Sequence, residues 1–547
     1  MPDGVVRENE MPDIPAVGTA PFNATHYLVD RRVDAGDGAR VAVRTADRAL
    51  TYADLAAETE RVADALDGLG VRPEQRVLLC MIDGIELFTA ILAVMRMGAV
   101  AVPVSTMLRG AELAKLVLDA RAPVLLCSAE FGEVSRAAVA LAREAGADLT
   151  DVVVTGADTA GYPGEVRTRS WDALLAAPRT PRRTFRTWAE SPALWLYTSG
   201  TTGTPKAAMH RHVDIRAVCE TYASDVLGIR PDDVCYSVAK LFFAYGIGNS
   251  MFFPLSVGAS AVLVPTRPSP SAVAATVAEH AVTLFYASPS VYGPLLASDL
   301  PATAFAGVRL GVSAGEALPA RMVVGMRERF GLEVLDGIGS TEALHIYLSN
   351  RPGAVAPGTS GVPVPGYGVE IRDEEGRVVP DGVTGTLYVR GESLCTGYWC
   401  RTDVNRRVFA GEWMRTGDTY VRNPEGTYTC LGRTDDVLKI GGIWVTPAEV
   451  EERLVTHPAV AEVVVVGVPD EDGLDRTVAC VVPRDGAVVD AEELVAWCRG
   501  GLASFKRPRH VVTLDAVPRT ATGKVQRFLV REFAAAALEA AAATSGS

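Results

Sequence analysis

Short apolar runs alternate with segments of helical apolar spacing along the first part of the chain. The runs Arg76–Met81, Ala99–Val104 and Ala122–Cys127 are typical of buried strands. Between them, Tyr52–Leu69 and Asp83–Met97 carry apolar residues at the spacing of one helical face. Strands that alternate with helices predict an α/β fold, with a parallel sheet covered by helices on both faces.

The pattern changes twice further along. Thr155–Pro192 is rich in Gly, Pro, Thr and Arg with little periodicity, and it predicts an irregular excursion. Beyond about residue 445 the chain predicts a small α+β domain and then a peripheral, alanine-rich helical tail at Ala535–Ala543. The elements of the small domain are the helices Thr446–Leu454 and Ala491–Leu502 and the strands Val460–Val466 and Val478–Val482.

The totals narrow the class of protein. A length of 547 residues with 48% hydrophobic residues predicts more than one domain, and a net charge of −13 argues against a nucleic-acid surface. The nine cysteines include no CxxC pair, which favours reduced thiols in the cytoplasm. No signal peptide or apolar run of membrane-spanning length is visible, so we expect a cytoplasmic enzyme without a membrane.

The run Tyr197–Lys206 carries the clearest candidate chemistry. An apolar strand, Ala193–Tyr197, leads into a loop of hydroxyl residues and glycines that one lysine closes. Glycines let backbone N–H groups face an anion, and a lysine adds a point charge, so this loop suits a polyphosphate. The spacing differs from that of a Walker A loop. The candidate phosphate-binding residues are Thr198, Ser199, Gly200, Thr201, Thr202, Gly203 and Lys206.

A second candidate motif is Val334–His345, where a strand ends in glycines before Ser-Thr-Glu. Mg²⁺ prefers hard oxygen ligands and usually shares its shell with substrate phosphates, so Glu342 is the magnesium candidate. Ser-Thr-Glu also matches a helix-capping box, and both interpretations can hold together. A third candidate, the aromatic string Ala239–Gly246, fits a ligand-pocket wall and ordinary core packing equally well.

The loop at Tyr197–Lys206 resembles the signature loop of the adenylate-forming superfamily, which includes acyl-CoA synthetases, adenylation domains of peptide synthetases and firefly-type luciferases. The resemblance extends from about residue 40 to 533 and is strongest to the benzoate-CoA ligases, which carry almost the same string as Ala239–Gly246. It implies a large N-terminal adenylate-forming domain of several subdomains and a small mobile C-terminal domain. The domain boundaries that follow are a disordered tail over 1–20, the large domain over 21–434 and the small domain over 435–547.

The resemblance also assigns roles residue by residue. The catalytic lysine is Lys524 in the loop Pro518–Arg527, Thr341 faces the α-phosphate, and Asp435 is the hinge between the domains. The remaining ATP contacts are Gly315, Glu316, Ala317, Asp336, Gly337, Asp418 and Arg433. The acid pocket comprises Phe243, Ala244, Tyr245, Ile338, Gly339 and His345, and the coenzyme A channel comprises Lys439, Gly441 and Gly442.

The implied activity is that of an aryl-CoA ligase using ATP, Mg²⁺ and coenzyme A. An aromatic acid would form aryl-AMP and then aryl-CoA, and a homodimer is an expectation by analogy. Ala343 is small, which predicts room for a substituted or bicyclic acid such as a salicylate or naphthoate if its side chain faces the ring. His345 either forms a hydrogen bond with a ring substituent or orients its loop. The alternatives are an aryl-acid adenylation enzyme that loads a carrier protein, a luciferase-like oxygenase, and a non-catalytic member. The last is disfavoured because Lys206, Glu342, Asp418, Arg433 and Lys524 are all present.

Overall fold

The computed structural model describes residues 21–156, 159–177, 185–199, 205–433, 438–440, 443–445, 447–469, 475–502, 506–519 and 525–545. The predicted tail over 1–20 lies outside the described residues. No described helix is long and apolar enough to cross a membrane. All nine cysteines are free thiols, and Cys400 is the exposed one among them.

The strands follow the chain in this order: Val41–Arg44 (β1), Ala49–Thr51 (β2), Arg76–Cys80 (β3), Val100–Pro103 (β4), Val124–Ser128 (β5), Asp151–Thr155 (β6), Arg167–Ser170 (β7), Pro192–Ser199 (β8), Pro205–Arg211 (β9), Val234–Ser237 (β10), Ser260–Val262 (β11), Leu284–Ala287 (β12), Leu310–Ser313 (β13), Val334–Gly339 (β14), Ile346–Ser349 (β15), Val362–Pro363 (β16), Gly368–Arg372 (β17), Gly385–Arg390 (β18), Phe409–Ala410 (β19), Trp413–Arg422 (β20), Tyr428–Arg433 (β21), Leu438–Ile440 (β22), Ile443–Val445 (β23), Val460–Pro469 (β24), Asp475–Pro483 (β25) and His510–Thr513 (β26).

The α-helices are Arg31–Asp34 (α1), Tyr52–Gly68 (α2), Ile85–Arg96 (α3), Gly110–Ala120 (α4), Gly132–Glu144 (α5), Trp171–Ala176 (α6), His212–Val218 (α7), Ala244–Ile247 (α8), Phe253–Val257 (α9), Pro270–Glu279 (α10), Pro289–Ala297 (α11), Ala320–Phe330 (α12), Thr402–Val408 (α13), Pro447–Leu454 (α14), Ala491–Arg499 (α15) and Arg527–Ser545 (α16).

A seven-stranded sheet in the order β7-β6-β5-β3-β4-β8-β9 forms the first layer of the large domain. Its strands are parallel except for β9, which returns antiparallel to β8. The apolar runs that predicted β3, β4 and β5 are buried on both sides, as expected for strands between helical layers. β8 therefore ends, at Ser199, at the carboxyl edge of this sheet.

The predicted irregular excursion Thr155–Pro192 is wrong in part, because it contains β7 and α6. β7 is an edge strand whose sequence is Arg-Thr-Arg-Ser, and none of its residues is fully buried. An edge strand of this kind lacks the apolar run that reveals a buried strand. Ser170 caps α6 by accepting the N–H of Ala173 at 3.2 Å.

A nine-stranded sheet in the order β16-β15-β14-β13-β12-β10-β11-β1-β2 forms the second layer. The strands from β1 through β14 in this order are parallel, whereas β2, β15 and β16 are antiparallel additions at the two ends. The carboxyl ends of β12, β13 and β14 therefore lie side by side. Open parallel sheets bind ligands at this edge.

A third, antiparallel sheet is built from β17, β18, β19, β20 and β21. In the C-terminal part, β24, β25 and β26 form a small sheet with α14, α15 and α16. Val530 and Ala534 of α16 are buried in its core, and Ala535 and Leu538 pack against that core. The helix predicted at Ala535–Ala543 is confirmed as part of α16, which packs on the small sheet through Val530 and Ala534 before that stretch and through Ala535 and Leu538 within it.

Candidate active site

The aromatic string after β10 lies against the carboxyl ends of two neighbouring strands. The hydroxyl of Tyr245 donates to the carbonyls of Val312 at 3.0 Å and Ala287 at 3.3 Å, which belong to β13 and β12. These bonds fix the ring at the edge where ligands bind in open sheets. Tyr245 is only partly buried, so one side of the ring remains available to a ligand.

Apart from His345, the other predicted pocket residues lie on the same segment as Tyr245 or on β14 and differ in their exposure. Phe243 is half-buried and packs against Phe242 at 4.4 Å between ring centroids, whereas Ala244 is buried. Ile338 packs on the same apolar core as Tyr245. Gly339 is required by a close approach of β14 to β15, since a Cβ there would lie 2.3 Å from the carbonyl oxygen of His345.

His345 is buried behind Tyr245, with their ring centroids 5.5 Å apart. Its Nε2 lies 3.1 Å from Oδ1 of Asn249, and Nδ1 is buried without a hydrogen-bond partner among the described residues. Burial lowers the pKa of His345 to about 3, so the imidazole is neutral at pH 7. The neutral imidazole therefore packs against Tyr245, one of the residues predicted to line the acid pocket.

Ser313, the last residue of β13, is the cross-strand partner of Asp336 within β14. Both are buried, and Oδ1 of Asp336 and Oγ of Ser313 have no hydrogen-bond partner among the described residues. Burial raises the pKa of the Asp336 carboxyl well above its usual range, although the N–H groups of Leu318 and Gly337 oppose this. Unpartnered buried polar atoms are costly, so the pair fits a ligand that supplies hydrogen bonds. Exposed residues follow at the turn after β13, the predicted Gly315, Glu316 and Ala317.

The Ser-Thr-Glu motif forms a single 3₁₀ turn, Thr341–Ala343, between β14 and β15. Ser340 caps the turn by accepting the N–H of Ala343 at 3.3 Å, so the capping interpretation applies to one turn and not to an α-helix. The main chain of the turn is held from outside, because the carbonyl of Thr341 lies 2.8 Å from Nε2 of His210 and that of Glu342 accepts the N–H of Cys395 at 2.8 Å.

The predicted phosphate loop begins and ends on paired strands. Thr198 on β8 and Lys206 on β9 are direct cross-strand partners, as are Ser199 and Pro205. The loop residues Gly200, Thr201, Thr202 and Gly203 lie outside the described residues. Lys206 is half-buried, with its Nζ 5.0 Å from the centroid of the Tyr398 ring.

The two residues predicted to hold the ribose lie together on the third sheet. Asp418 on β20 and Arg433 on β21 are cross-strand partners, and Arg433 Nη1 lies 3.2 Å from Asp418 Oδ1. Asp418 is mostly buried, whereas the guanidinium side chain is half-exposed. A fixed carboxylate beside a guanidinium suits adjacent hydroxyl and phosphate groups.

Several predicted residues lie outside the described residues: the hinge Asp435, the channel glycines Gly441 and Gly442, and the catalytic candidate Lys524. Lys439 is described only in its backbone, on β22 opposite Trp444. The segment that carries Lys524 is closed by a bridge between Arg519 and Val525, and the N–H of Gln526 donates to the carbonyl of Pro518 at 2.9 Å.

Sequence reasoning missed three residues that contact the Ser-Thr-Glu turn or the aromatic string Ala239–Gly246. They are Tyr398, His210 and Asp83. Tyr398 donates to Oε1 of Glu342 at 2.6 Å from a position 56 residues away. His210 places Nδ1 3.2 Å from Asp214, and this spacing of four was a local signal that could have been noticed. The contacts to Glu342 and Thr341 have no local signal.

The family comparison decides the identity. Residues 29–399 match the family model of the AMP-binding enzymes, and residues 449–524 match that of the AMP-binding enzyme C-terminal domain. The chain belongs to the AMP-binding enzymes. This AMP-binding enzyme is 41% identical over 516 residues to a benzoate-CoA ligase of Thauera aromatica, covering 93% of the chain and 96% of the relative.

Two solved AMP-binding enzymes share its fold. An anthranilate-CoA ligase in complex with anthranoyl-AMP aligns with a TM-score of 0.87 and 36% identity, covering 95% of this chain and 98% of that chain. A benzoate-CoA ligase from Burkholderia xenovorans LB400 aligns with a TM-score of 0.82 and 41% identity, covering 93% and 100%.

A metal in this AMP-binding enzyme would depend on the substrate for ligands. The described residues contain no cluster of three or more His, Cys, Asp or Glu side chains able to hold a metal ion. Glu342 supplies a single half-buried carboxylate. One carboxylate completed by phosphate oxygens and water is a usual arrangement for Mg²⁺, so the site fits magnesium bound together with ATP.

Proposed function

We propose that this protein is an ATP-dependent aryl-CoA ligase, which converts an aromatic carboxylic acid into aryl-AMP and then into aryl-CoA with release of pyrophosphate and AMP. One observation carries the proposal: Tyr245 is bonded at the carboxyl ends of β12 and β13, and its ring packs against His345, which lies two residues after the turn that bears Glu342. The apolar aromatic wall suits an aromatic acid. The carboxylate of Glu342 suits the metal-bound phosphates of the ATP to which that acid would be joined. The AMP-binding family and the benzoate- and anthranilate-CoA ligase relatives support the same reaction.

The first step joins the acid to ATP. The carboxylate oxygen attacks the α-phosphorus, the bond to the bridging oxygen breaks, and pyrophosphate leaves. Such a transfer depends mainly on positioning and neutralisation of charge. Lys206 and the phosphate loop would hold the β- and γ-phosphates, and magnesium at Glu342 would neutralise part of their charge. Lys524 would approach the α-phosphate, where negative charge concentrates.

The nucleoside of ATP would lie between two described features. The unpartnered Oδ1 of Asp336 offers an acceptor for the amino group of adenine, and the turn at Gly315–Ala317 offers an exposed surface beside it. Asp418 would accept the hydroxyls of the ribose, with Arg433 next to it. This arrangement orders adenine, ribose and phosphates from β13 toward the phosphate loop.

The acid would lie against the pocket wall of Phe243, Ala244, Tyr245, Ile338 and Gly339. The wall carries no lysine or arginine, which disfavours a second carboxylate on the acid. Nδ1 of His345 is an unused acceptor or donor behind the wall, and Ala343 is small and fully buried. The ring nitrogen of His345 favours a benzoate that carries a hydroxyl or amino group over a long aliphatic acid. The small side chain of Ala343 would admit a bicyclic acid only if it faces the ring.

The second step requires that the thiol of coenzyme A reach the carbonyl carbon of aryl-AMP past the Lys524 loop. The thiol of coenzyme A attacks the carbonyl carbon of aryl-AMP, and AMP leaves. The small domain would rotate about Asp435 so that the Lys439–Gly442 segment replaces the Lys524 loop, leaving a narrow channel for the pantetheine arm.

The test uses purified protein with ATP, Mg²⁺ and a panel from acetate and octanoate through benzoate, hydroxybenzoates and aminobenzoates to naphthoates, with and without coenzyme A. Mass spectrometry reads acyl-AMP and acyl-CoA separately. Formation of aryl-CoA is the expected result. Aryl-AMP that never passes to coenzyme A would favour a carrier-protein acceptor, and reaction of aliphatic acids alone would overturn the proposed pocket.

A further inference from the structure

The segment Ser393–Trp399 joins two parts of the candidate site that are distant in sequence. On one side it runs along β9, with the N–H of Thr396 donating to Met209 at 2.9 Å and that of Trp399 to Ala207 at 3.0 Å. On the other side it holds the Ser-Thr-Glu turn, since Ser393 Oγ donates to the carbonyl of Ala343 at 2.7 Å. The strand after the phosphate loop and the turn that bears Glu342 are therefore fastened to the same short stretch of chain.

Tyr398 is the residue of this segment that touches both charged groups. Its hydroxyl donates to Oε1 of Glu342 at 2.6 Å, and its ring lies 5.0 Å from Nζ of Lys206. The side chain is 4% exposed and is packed against Phe409 at 5.6 Å between centroids. Asn405 accepts the N–H of Tyr398 at 2.7 Å and donates to its carbonyl at 2.9 Å, so the backbone is fixed as well.

Tyr398 therefore contacts both the carboxylate of Glu342 and the ammonium group of Lys206. Lys206 and Glu342, both described, form no ion pair within 4.0 Å. The phenol occupies one oxygen of Glu342 and leaves Oε2 available, and the electron-rich ring face attracts the ammonium group.

We propose that Tyr398 is a positioning residue that aims Glu342 at the metal and Lys206 at the phosphates of the same metal-bound nucleotide. The proposal rests on the proposed function for the roles of Glu342 and Lys206, and it adds a residue that orients both. Removing the hydroxyl leaves the carboxylate free to rotate, whereas removing the ring also frees the lysine to pair with that carboxylate.

Metal binding gives a readout that does not depend on turnover. Mn²⁺ titrated into the protein with α,β-methylene-ATP is followed by electron paramagnetic resonance, and binding of the metal-free analogue is followed by calorimetry. Y398F should weaken Mn²⁺ binding by about tenfold, in the range found when a partner of a metal ligand is removed, and leave the metal-free analogue unaffected. Y398L should weaken both.

Tyr162→Phe is the matched control, because the Tyr162 hydroxyl makes a bond of the same length, 2.6 Å, to Ser135 in another part of the large domain. It should bind Mn²⁺ as the wild type does. Wild-type Mn²⁺ affinity in Y398F would overturn the proposal.

A double variant separates positioning from general damage. In an E342Q background the added Y398F change should cost no further Mn²⁺ affinity, because the residue acts through Glu342. Losses that add in the double variant would overturn the proposal. If the wild type forms no aryl-CoA but Y398F still loses Mn²⁺ affinity, the proposed function fails while the role of Tyr398 stands.

Discussion

Asp83 accepts the backbone N–H of Leu241, at 3.2 and 3.3 Å from its two oxygens, across 158 residues of chain. Asp83 follows β3 of the seven-stranded sheet, and Leu241 lies two residues before Phe243 of the pocket wall. Burial raises the pKa of Asp83 to about 6, with Lys240 opposing, and burial lowers the pKa of Lys240, with Asp83 opposing. One buried carboxylate thus connects the two sheets at the acid pocket.

Asp83→Asn should change how stability depends on pH. The pKa of Asp83 rises from its usual 3.8 to about 6 on folding, so its contribution to the free energy of unfolding is full below pH 4 and is lost as the pH rises through 6. That loss corresponds to roughly 3 kcal/mol. The variant lacks this pH-dependent contribution. Urea unfolding at pH 4, 5, 6 and 7 should therefore show that the free energy of unfolding of the variant rises relative to that of the wild type as the pH rises.

Asp54→Asn provides a control of opposite sign. Hydrogen bonds from Thr51 lower the pKa of the exposed Asp54, so its contribution is present above pH 4 and is lost on acidification. The free energy of unfolding of this variant should fall relative to that of the wild type as the pH rises from 3 to 5. Parallel pH profiles for the two variants would contradict the role given to Asp83.

Ala343→Met should narrow the acid pocket. Ala343 is the last residue of the Ser-Thr-Glu turn and is fully buried, so three added heavy atoms have to displace the residues packed around it. We expect kcat/KM for naphthoates and hydroxybenzoates to fall at least tenfold more than for benzoate. Ala90→Met, at a fully buried position of α3, overpacks the core elsewhere and should leave the ranking of acids unchanged. An unchanged ranking in Ala343→Met would show that this side chain does not border the acid.

Asp336→Ala should weaken ATP binding through the adenine. The variant removes the unpartnered acceptor, and loss of one hydrogen bond to a buried group costs about 1–3 kcal/mol, or roughly tenfold to a hundredfold in KM for ATP. The KM for the acid should stay within about twofold. Because the acceptor favours an amino group over a carbonyl, the preference for ATP over GTP should also shrink. If the variant changes only the KM for the acid, Asp336 contacts the acid and not the adenine, which would contradict this prediction.

Lys524→Ala should separate the two half-reactions. Removing the cation from the α-phosphate should slow formation of aryl-AMP by roughly a hundredfold to a thousandfold, as is found when a charge-stabilising donor is removed. Transfer from supplied aryl-AMP to coenzyme A should change only a few-fold. Lys506→Ala is the control in the same domain, since Lys506 pairs with Glu449 at 2.7 Å. Equal loss of both half-reactions would argue against the assigned role.

Asp435→Pro should give the opposite pattern. A proline restricts the backbone dihedral φ at the predicted hinge, so it should hinder rotation of the small domain. The domain arrangement that forms aryl-AMP, with the Lys524 loop at the site, should persist. Aryl-AMP formation should survive and aryl-CoA formation should fall, as measured by mass spectrometry of both products. A matched loss of both products would count against a hinge at this residue.

The sequence pattern anticipated the buried strands and most helices because apolar runs and helical spacing report burial directly. It failed for β7, whose polar residues lie at a sheet edge, whereas the helix predicted at Ala535–Ala543 is confirmed as part of α16. Motifs located Glu342, Lys206 and Asp418, since short-range patterns encode them. Tyr398 and Asp83 contact their partners across 56 and 158 residues, and such contacts exist only once the sheets have assembled.

The pairing of β1 with β11 sets an order of events during synthesis. β1 ends at Arg44, and its neighbour β11 begins at Ser260. At ribosomal speeds of about 5–20 residues per second, the first strand waits roughly 10–40 s for its partner to be made. All strands of the seven-stranded sheet are encoded within that interval and are synthesised before β11, whereas the pocket residues on β14 follow β11 in the chain.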